Sequence, residues 1–226
     1  MAAPGVRFSV VIPTLDEAAT VADTIAAARA ALPGAEVVVA DAGSGDGTAE
    51  VAAAAGARVL QAPGARAEAM NAGAAAAGGE VLVFLHADTH LPTGAGAAIA
   101  AALRRGGAGA FRIGFDRPRP LVERVVNARS RLFKIVYGDQ ALFVSREAFA
   151  RVGGYRPLPI MEDRDLATRL RRAGGLVIVP LAVTTSARRH RSDGHARALA
   201  RNWLIQLLYT LHVPPERLAR MYPPAR

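Results

Sequence analysis

The sequence predicts an α/β fold with a mostly parallel central sheet and helices on both faces. Three observations predict it. Short apolar runs alternate with helical patterns through residues 8–88. The runs are continuously apolar, as strands covered on both faces must be. Polar residues stand directly after the runs, where open parallel sheets bind their ligands.

The elements follow in order. Phe8-Ser9-Val10-Val11-Ile12 is a buried strand that stops at Pro13. Thr14 and Glu17 have the spacing of a capping box. Behind them Val21, Ile25, Ala28 and Leu32 recur at helical spacing, and Pro33-Gly34 ends that helix. Glu36–Ala40 is a second strand, followed by Asp41 and the turn Ala42-Gly43-Ser44-Gly45-Asp46-Gly47-Thr48. An alanine-rich helix runs to Gly56, a short strand covers Arg58–Gln61, and a third helix covers Ala65–Ala77. Glu80–His86 is the most apolar strand and leads into Ala87-Asp88. The second half is less regular. Strands are expected at Phe111–Phe115, Ala141–Ser145 and Leu176–Thr184, and helices at Leu121–Lys134, Arg146–Val152, Glu162–Arg172 and Ala196–Leu211.

At 226 residues the chain reads as one domain, 1–226, with 51% apolar residues to build its core. It has no cysteine, so disulfides and thiolate metal sites are excluded. No apolar run is long enough to span a bilayer and no signal peptide is evident, so a cytoplasmic protein is expected. The net charge of +9 is uneven. Residues 1–100 carry 4 Arg against 10 acids, and residues 101–226 carry 24 Lys/Arg against 9 acids. A bias toward alanine and arginine accounts for part of this. The rest suits an anionic partner such as phosphate or a membrane surface. Nucleic acid is not expected, because aromatics are sparse and no binding motif appears.

Asp88 carries the strongest chemical signal. A carboxylate after a buried strand is costly to desolvate unless it is paired or bound to a cation. It either ligates a hard divalent metal shared with a diphosphate or caps the following helix. Asp41 can accept hydrogen bonds from a base or ribose, or serve the turn. Arg66 stands at a helix start where it can meet phosphate or simply face solvent.

Taken in order, Pro13 to Glu17, the Asp41–Thr48 turn, Arg66 to Asn71 and Glu80 to Asp88 resemble family 2 glycosyltransferases of the GT-A (nucleotide-diphospho-sugar transferase) fold. Met161-Glu162-Asp163 resembles the Glu-Asp pair at that family's catalytic base. The resemblance spans essentially the whole chain. Leu85 to Thr89, Tyr137-Gly138-Asp139-Gln140, Met161-Glu162-Asp163 and Thr185 to Arg189 further resemble a small bacterial subgroup named for arsenosugar biosynthesis.

The resemblance implies a nucleotide-binding half at 1–92, an acceptor-binding and catalytic half at 93–194, and a C-terminal amphipathic helix and tail at 195–226. Pro13, Thr14, Leu15 and Glu17 would line the donor pocket, with Asp41 near the base and Arg66 near base or phosphates. His86-Ala87-Asp88 would be the donor segment, with Asp88 as last carboxylate of the Asp-X-Asp motif on Mn2+ or Mg2+. Asp163 would be the general base, with Glu162 orienting the acceptor or only starting its helix. Asp139 and Gln140 would contact the acceptor. Arg189 would close over the diphosphate or face solvent, and His190 would be a further metal ligand. The implied reaction is an inverting transfer from a nucleotide sugar, UDP-linked foremost, to a small or lipid-linked acceptor. Two departures stand out: Ala42 and His86 occupy positions where the family carries aspartate.

Other classes fit less well. No Gly-X-Gly-X-X-Gly follows the first strand, which argues against a dinucleotide dehydrogenase. Ser44 lacks the glycine spacing of a serine hydrolase. A catalytically weak sugar-nucleotide binder or membrane-associated scaffold is the remaining alternative, favoured by His86 and Ala42. The last helix sets Leu199, Trp203, Leu207 and Leu211 four apart between basic flanks. Packing on the domain is the leading expectation for it. Peripheral contact with the inner membrane face and a homodimer through 195–212 are the other two.

Overall fold

The computed structural model describes residues 6–186 and 195–221. Eight strands form one sheet: β1 (Phe8–Thr14), β2 (Glu36–Asp41), β3 (Arg58–Gln61), β4 (Val81–Phe84), β5 (Thr89–His90), β6 (Ala108–Phe115), β7 (Phe143–Ser145) and β8 (Leu176–Thr185). Their order is β3-β2-β1-β4-β7-β6-β8-β5. Strands β3, β2, β1 and β4 are mutually parallel, as expected. Strand β7 runs antiparallel to both β4 and β6, and β5 runs antiparallel to β8.

Side chains of the first strands alternate between two cores, as the two-residue strand period requires. Val10 and Ile12, Val37 and Val39, and Val81 and Val83 enter one core with Val21 and Ile25 of α1 (Ala18–Ala31) and Leu32 just after it. Val11, Val38, Leu82 and Phe84 enter the other with Met70 of α3 (Arg66–Ala76). Helix α2 is Thr48–Ala54. Gly73 lets α3 sit directly on the sheet, because a β-carbon there would collide with the Val11 side chain. Phe84, Phe149 and Tyr155 pack ring to ring, with Phe84 and Tyr155 edge-on at 4.9 Å.

The remaining helices are α4 (Ala95–Leu103), α5 (Pro120–Phe133), α6 (Arg146–Arg151), α7 (Glu162–Gly174), α8 (His195–Thr210) and α9 (Pro215–Ala219), with a 3-10 turn at Gly138–Gln140. Strand β5 and helix α9 were not expected, and α4 only as a helix of unstated length after Asp88. Helix α4 reads AGAAIAAAL, which offers no apolar–polar contrast to detect. Strand β5 is two residues long.

Two local expectations are corrected. Thr14 does not cap α1; it is the last residue of β1 and is paired in register with Asp41. The start of α1 is served by the neighbouring turn instead. Asp46 Oδ2 accepts from the Ala18 N–H at 3.0 Å, and Thr48 Oγ1 accepts from the Glu17 N–H at 2.8 Å. The C-terminal helix buries Ile205 but leaves Trp203, Leu204, Leu207 and Leu211 exposed. Packing on the domain therefore does not account for its apolar stripe.

Helix α3 is tied at both ends to the second half of the chain. At its C-terminus, the Arg146 guanidinium donates to the carbonyls of Ala74, Ala77 and Gly79 at 3.1, 2.6 and 2.8 Å. These carbonyls close the helix end and would otherwise be left over. At its N-terminus, Arg66 reaches two carboxylates of α7.

Candidate active site

The carboxyl ends of β1, β2 and β4 converge, and the N-terminus of α7 and the 3-10 turn face them. At the first two ends, polar groups close on one another. Asp41 is fully buried. It accepts from Thr14 Oγ1 at 2.8 Å, Ser44 Oγ at 2.6 Å, Ser44 N at 2.9 Å and Gly43 N at 3.1 Å. Burial works to raise its pKa, but these four donors hold it below the usual aspartate value. Four bonds fill a carboxylate's ordinary acceptor capacity. A nucleobase contact at Asp41 would have to displace one of them. Asp16 locks the two loops together: its N–H donates to Ser44 Oγ at 2.9 Å, and its Oδ1 accepts from Gly45 N at 3.0 Å. Pro13 and Glu17 are half-buried beside this zipper, and Leu15 is half exposed.

The second cluster is built differently. Glu162 and Asp163 open α7, and each is 3% exposed. Met161, before them, holds a left-handed backbone with φ 67°. That conformation is uncommon for a residue with a side chain, and it aims both acids inward. Arg66 Nε donates to Glu162 Oε1 at 2.6 Å, and Arg66 Nη2 to Asp163 Oδ2 at 2.9 Å. Its third nitrogen, Nη1, lies 3.1 Å from His86 Nε2. One guanidinium thus joins the end of β4 to the start of α7. Gly138 completes the enclosure. Its N–H donates to Asp163, and a β-carbon at Gly138 would run into His86 Nε2 and Asp163 Oδ2.

Electrostatics set Asp163 apart. Burial pushes its carboxyl up to about 7; Arg66 pulls it down, while the charges of Glu162 and Asp139 add to the rise. Asp163 Oδ1 is buried without a well-formed hydrogen bond, and the Tyr155 hydroxyl is in loose reach of the carboxylate. Tyr155, near both acids, is driven well above the usual tyrosine value by burial and by their charges. Asp139 is raised by burial first; Arg129 and Arg66 oppose the rise, and the Asp88 charge adds to it. Asp139 and Asp88 therefore share one electrostatic neighbourhood with Arg66 and Asp163.

Gln140 is a correction. An acceptor contact was expected, but Gln140 is fully buried. Its Nε2 donates to the Phe111 carbonyl at 3.0 Å, and its Oε1 accepts from Ser130 Oγ at 3.2 Å. Its polar atoms fasten the 3-10 turn to β6 and α5.

Asp88 lies between β4 and β5, half-buried, in a cleft lined by Thr20, Asp23, His90, Asp116 and Thr185. Ala87 is buried, and its carbonyl accepts from Thr24 Oγ1 at 2.7 Å. Among the described residues, no three His, Asp or Glu side chains are grouped to hold a metal. A single carboxylate suits a hard cation whose shell is completed by diphosphate oxygens and water, as Mg2+ sites commonly are. The donor set fits a metal that arrives with a diphosphate, not a resident one. Arg189 and His190 lie outside the described residues.

Sequence reasoning missed Tyr155 and Arg129. Arg129, on a helix that read only as basic, stacks 4.7 Å over the Tyr137 ring. Nothing in a lone Tyr or Arg signals that the fold will turn it toward a buried acid.

Comparison with known proteins places this geometry. Residues 9–149 match the model of Glycosyl transferase family 2. No curated protein matches the chain. Among solved structures, glucosyl-3-phosphoglycerate synthase from Mycobacterium tuberculosis, bound to Mn2+, UDP and glucosyl-3-phosphoglycerate, superposes with a TM-score of 0.65 at 23% identity. That match covers 93% of this chain and 81% of that one. The mannosyltransferase PcManGT from Pyrobaculum calidifontis, bound to GDP-Man and Mn2+, gives 0.66 at 20% identity, over 91% of this chain and 62% of that one. S. aureus TarS 1-349 gives 0.64 at 14% identity, over 80% of this chain, and this chain spans only 60% of its length. These likenesses establish the fold as GT-A, and with well over half its length matching the family model, the chain belongs to glycosyl transferase family 2.

Proposed function

We propose that this glycosyltransferase moves a sugar from a nucleotide-diphospho-sugar, UDP-linked foremost, to a small or lipid-linked acceptor with inversion at the anomeric carbon. The observation that carries this reading is Asp163: a buried carboxylate, raised to about 7, with one oxygen outside the Arg66 network and without a well-formed hydrogen bond. Orphaned buried acceptors are rare in folded proteins, and an acid tuned toward neutrality is what a general base requires.

Asp163 Oδ1 takes the proton of the acceptor hydroxyl. The acceptor oxygen attacks the anomeric carbon, and the bond from that carbon to the β-phosphate oxygen breaks. The nucleoside diphosphate leaves with the electron pair. Arg66 positions Asp163 and spans to His86, beside the donor segment. Asp88, joined by His190, would hold Mn2+ or Mg2+, which when bound neutralises charge on the departing diphosphate. Asp139 lies on the acceptor side. Glu162 holds Arg66 and so supports the base. By the family resemblance Arg189 would close over the diphosphate; the alternative is a solvent-facing charge run. Support comes from the Mn2+ and nucleotide complexes of the superposed structures.

The likeness to the arsenosugar-biosynthesis subgroup stays part of this reading, but it does not name a substrate. A location at the cytoplasmic side of the membrane goes with a lipid-linked acceptor. The competing reading, a binder without turnover, draws on His86 and Ala42. The tuned Asp163 argues against it, since a binder needs no such base.

The test is a thermal-shift screen of nucleotide sugars with and without Mn2+, followed by turnover of the best donor. A bound donor raises stability by mass action. Asp163→Asn should keep the donor-induced shift and lose about 10²–10⁴ in turnover. Unchanged turnover would remove Asp163 from the mechanism. Absence of metal-dependent turnover in the parent, with any stabilising donor, would favour the binder.

A further inference from the structure

Helix α5 is built inside out. Glu123, Asn127 and Ser130 face the protein. Asn127 brackets Ile113, accepting from its N–H and donating to its carbonyl, both at 2.9 Å. Glu123 accepts from the N–H of Arg119 at 3.0 Å and of Phe115 at 3.3 Å. Ser130 is the one fully buried residue of the helix. Its apolar residues face outward: Leu121 is 75% exposed, Leu132 71% and Phe133 60%, with Val125 at 49%. Leu121, Val125, Ala128 and Leu132 recur at helical spacing and form one stripe.

Helix α8 is joined to α5 through Gln206, and its described residues beyond the buried Ile205 present a similar outer face. Gln206 accepts from Arg129 Nη1 at 2.7 Å, and its carbonyl accepts from Arg164 Nη1 at 2.9 Å. On the outer side stand Trp203, Leu204, Leu207 and Leu211. Among the described residues ten large apolar side chains are exposed; four belong to α5 and four to Trp203–Leu211. Exposed apolar residues are ordinary when scattered, but such concentration marks an interaction surface.

The charge around this surface has one sign. Residues 117–134 carry six Lys/Arg and the inward-facing Glu123, and residues 195–221 carry four Arg and Glu216. Arg124, Arg131, Arg217 and Arg220 are exposed. An apolar stripe with basic flanks matches the interface of an anionic bilayer. A second copy of the chain would bring the same positive rim against itself, and like charges at a rim oppose docking. Among the described residues no helix is long and apolar enough to cross a membrane, so the contact is peripheral.

We infer that α5 and Trp203–Leu211 together form one surface that seats the protein on an anionic lipid bilayer. Helix α5 runs into Tyr137-Gly138-Asp139, so the surface adjoins the acceptor side of the site. This inference stands on exposure and charge and does not depend on the proposed sugar transfer.

The test uses the whole chain and vesicles of phosphatidylcholine with or without phosphatidylglycerol. The protein should pellet with the anionic vesicles, pellet far less with pure phosphatidylcholine, and be released as salt rises. The double variant Leu132→Ser/Leu207→Ser should bind at least ~10-fold more weakly, since each buried leucine is worth ~1.5–3 kcal/mol or roughly a factor of ten or more. Its melting temperature should match the parent, because both side chains are exposed. No pelleting with anionic vesicles would overturn the inference. So would a dimer in sedimentation that the double variant abolishes while vesicle binding stays unchanged.

Discussion

The two halves of the site handle buried polar groups in opposite ways. At the ends of β1 and β2, every bond closes within the protein: Thr14, Asp41, Ser44, Asp16, Asp46 and Thr48 satisfy one another. Around the start of α7, Asp163 Oδ1, Tyr155 Oη, Tyr137 Oη and Arg129 Nε are buried without well-formed hydrogen bonds; only loose ones join Tyr155 to Asp163 and Tyr137 to Arg164. Backbone strain follows the same division. Among the described non-glycine residues with positive φ, Lys134, Ala141, Met161 and His212 fall in the second half and Asp16 in the first. Satisfied networks rigidify a structure. Unsatisfied groups and strained backbone gather where a fold gives up stability for chemistry. The first half is a finished scaffold, and the second is poised.

The sharpest way to break this comparison is Gly138→Ala. The added methyl would press on both His86 Nε2 and Asp163 Oδ2. Overpacking of this kind typically costs ~1–3 kcal/mol, and displacing a reacting group by about an ångström can cost on the order of 10²-fold in rate. Turnover should fall by about that much while the protein stays folded, and initial rates beside a melting curve would show it. Wild-type turnover in Gly138→Ala would mean that the second cluster tolerates displacement and is not poised at all.

Arg66 gives the next effect, read as a shift in pH dependence. A general base works when deprotonated, so activity should rise through an acid limb near Asp163's value of about 7. Arg66 holds that value down, so Arg66→Gln should move the limb to higher pH and recover rate as pH is raised. Stability has the opposite sign. Between the ordinary aspartate value of 3.8 and about 7, the folded protein keeps a proton that the unfolded chain has lost. Stability contributed by Asp163 therefore declines as pH rises through that window. In Arg66→Gln two adjacent buried carboxylates lose their cation, so the decline should steepen and reach further. A limb that stays in place in Arg66→Gln would show that the guanidinium does not tune the base.

The same contrast explains what could be read in the sequence. The first half follows local rules. Apolar runs such as Val37-Val38-Val39 end at polar residues, and the turn around Gly43 and Gly47 uses residues suited to left-handed backbone. Strands β1 to β4 and the meeting of Thr14 and Asp41 at neighbouring strand ends were legible for that reason. Asp163 was visible only through its resemblance to a family motif. Its partner Arg66 comes from a distant point of the chain, Tyr155 carries no motif of its own, and Met161 adopts a conformation its residue type disfavours. The inverted face of α5 was also hidden, since its sequence reads only as a basic helix. Only the fold shows that the polar side is the one turned inward.

The smallest effect belongs to the first half, and its signature is thermal rather than catalytic. Thr14→Val keeps the shape of the side chain and removes the hydroxyl that donates to Asp41 Oδ1 at 2.8 Å. A hydrogen bond to a charged group contributes about 1.5–3 kcal/mol, and Asp41 keeps three other donors to soften the loss. For a domain of this size the melting temperature should fall by only a few degrees. Because its donors hold Asp41 below the usual aspartate value, their stabilisation is present above that value and is lost as pH falls through the lowered one. The gap between Thr14→Val and the parent should therefore be full at neutral pH and should close in strong acid. The acid limb of activity should not move, since Thr14 does not touch Asp163. A gap that persists below the aspartate range would mean Thr14 stabilises the turn by packing, and a moved limb would mean that the closed network and the poised one are coupled.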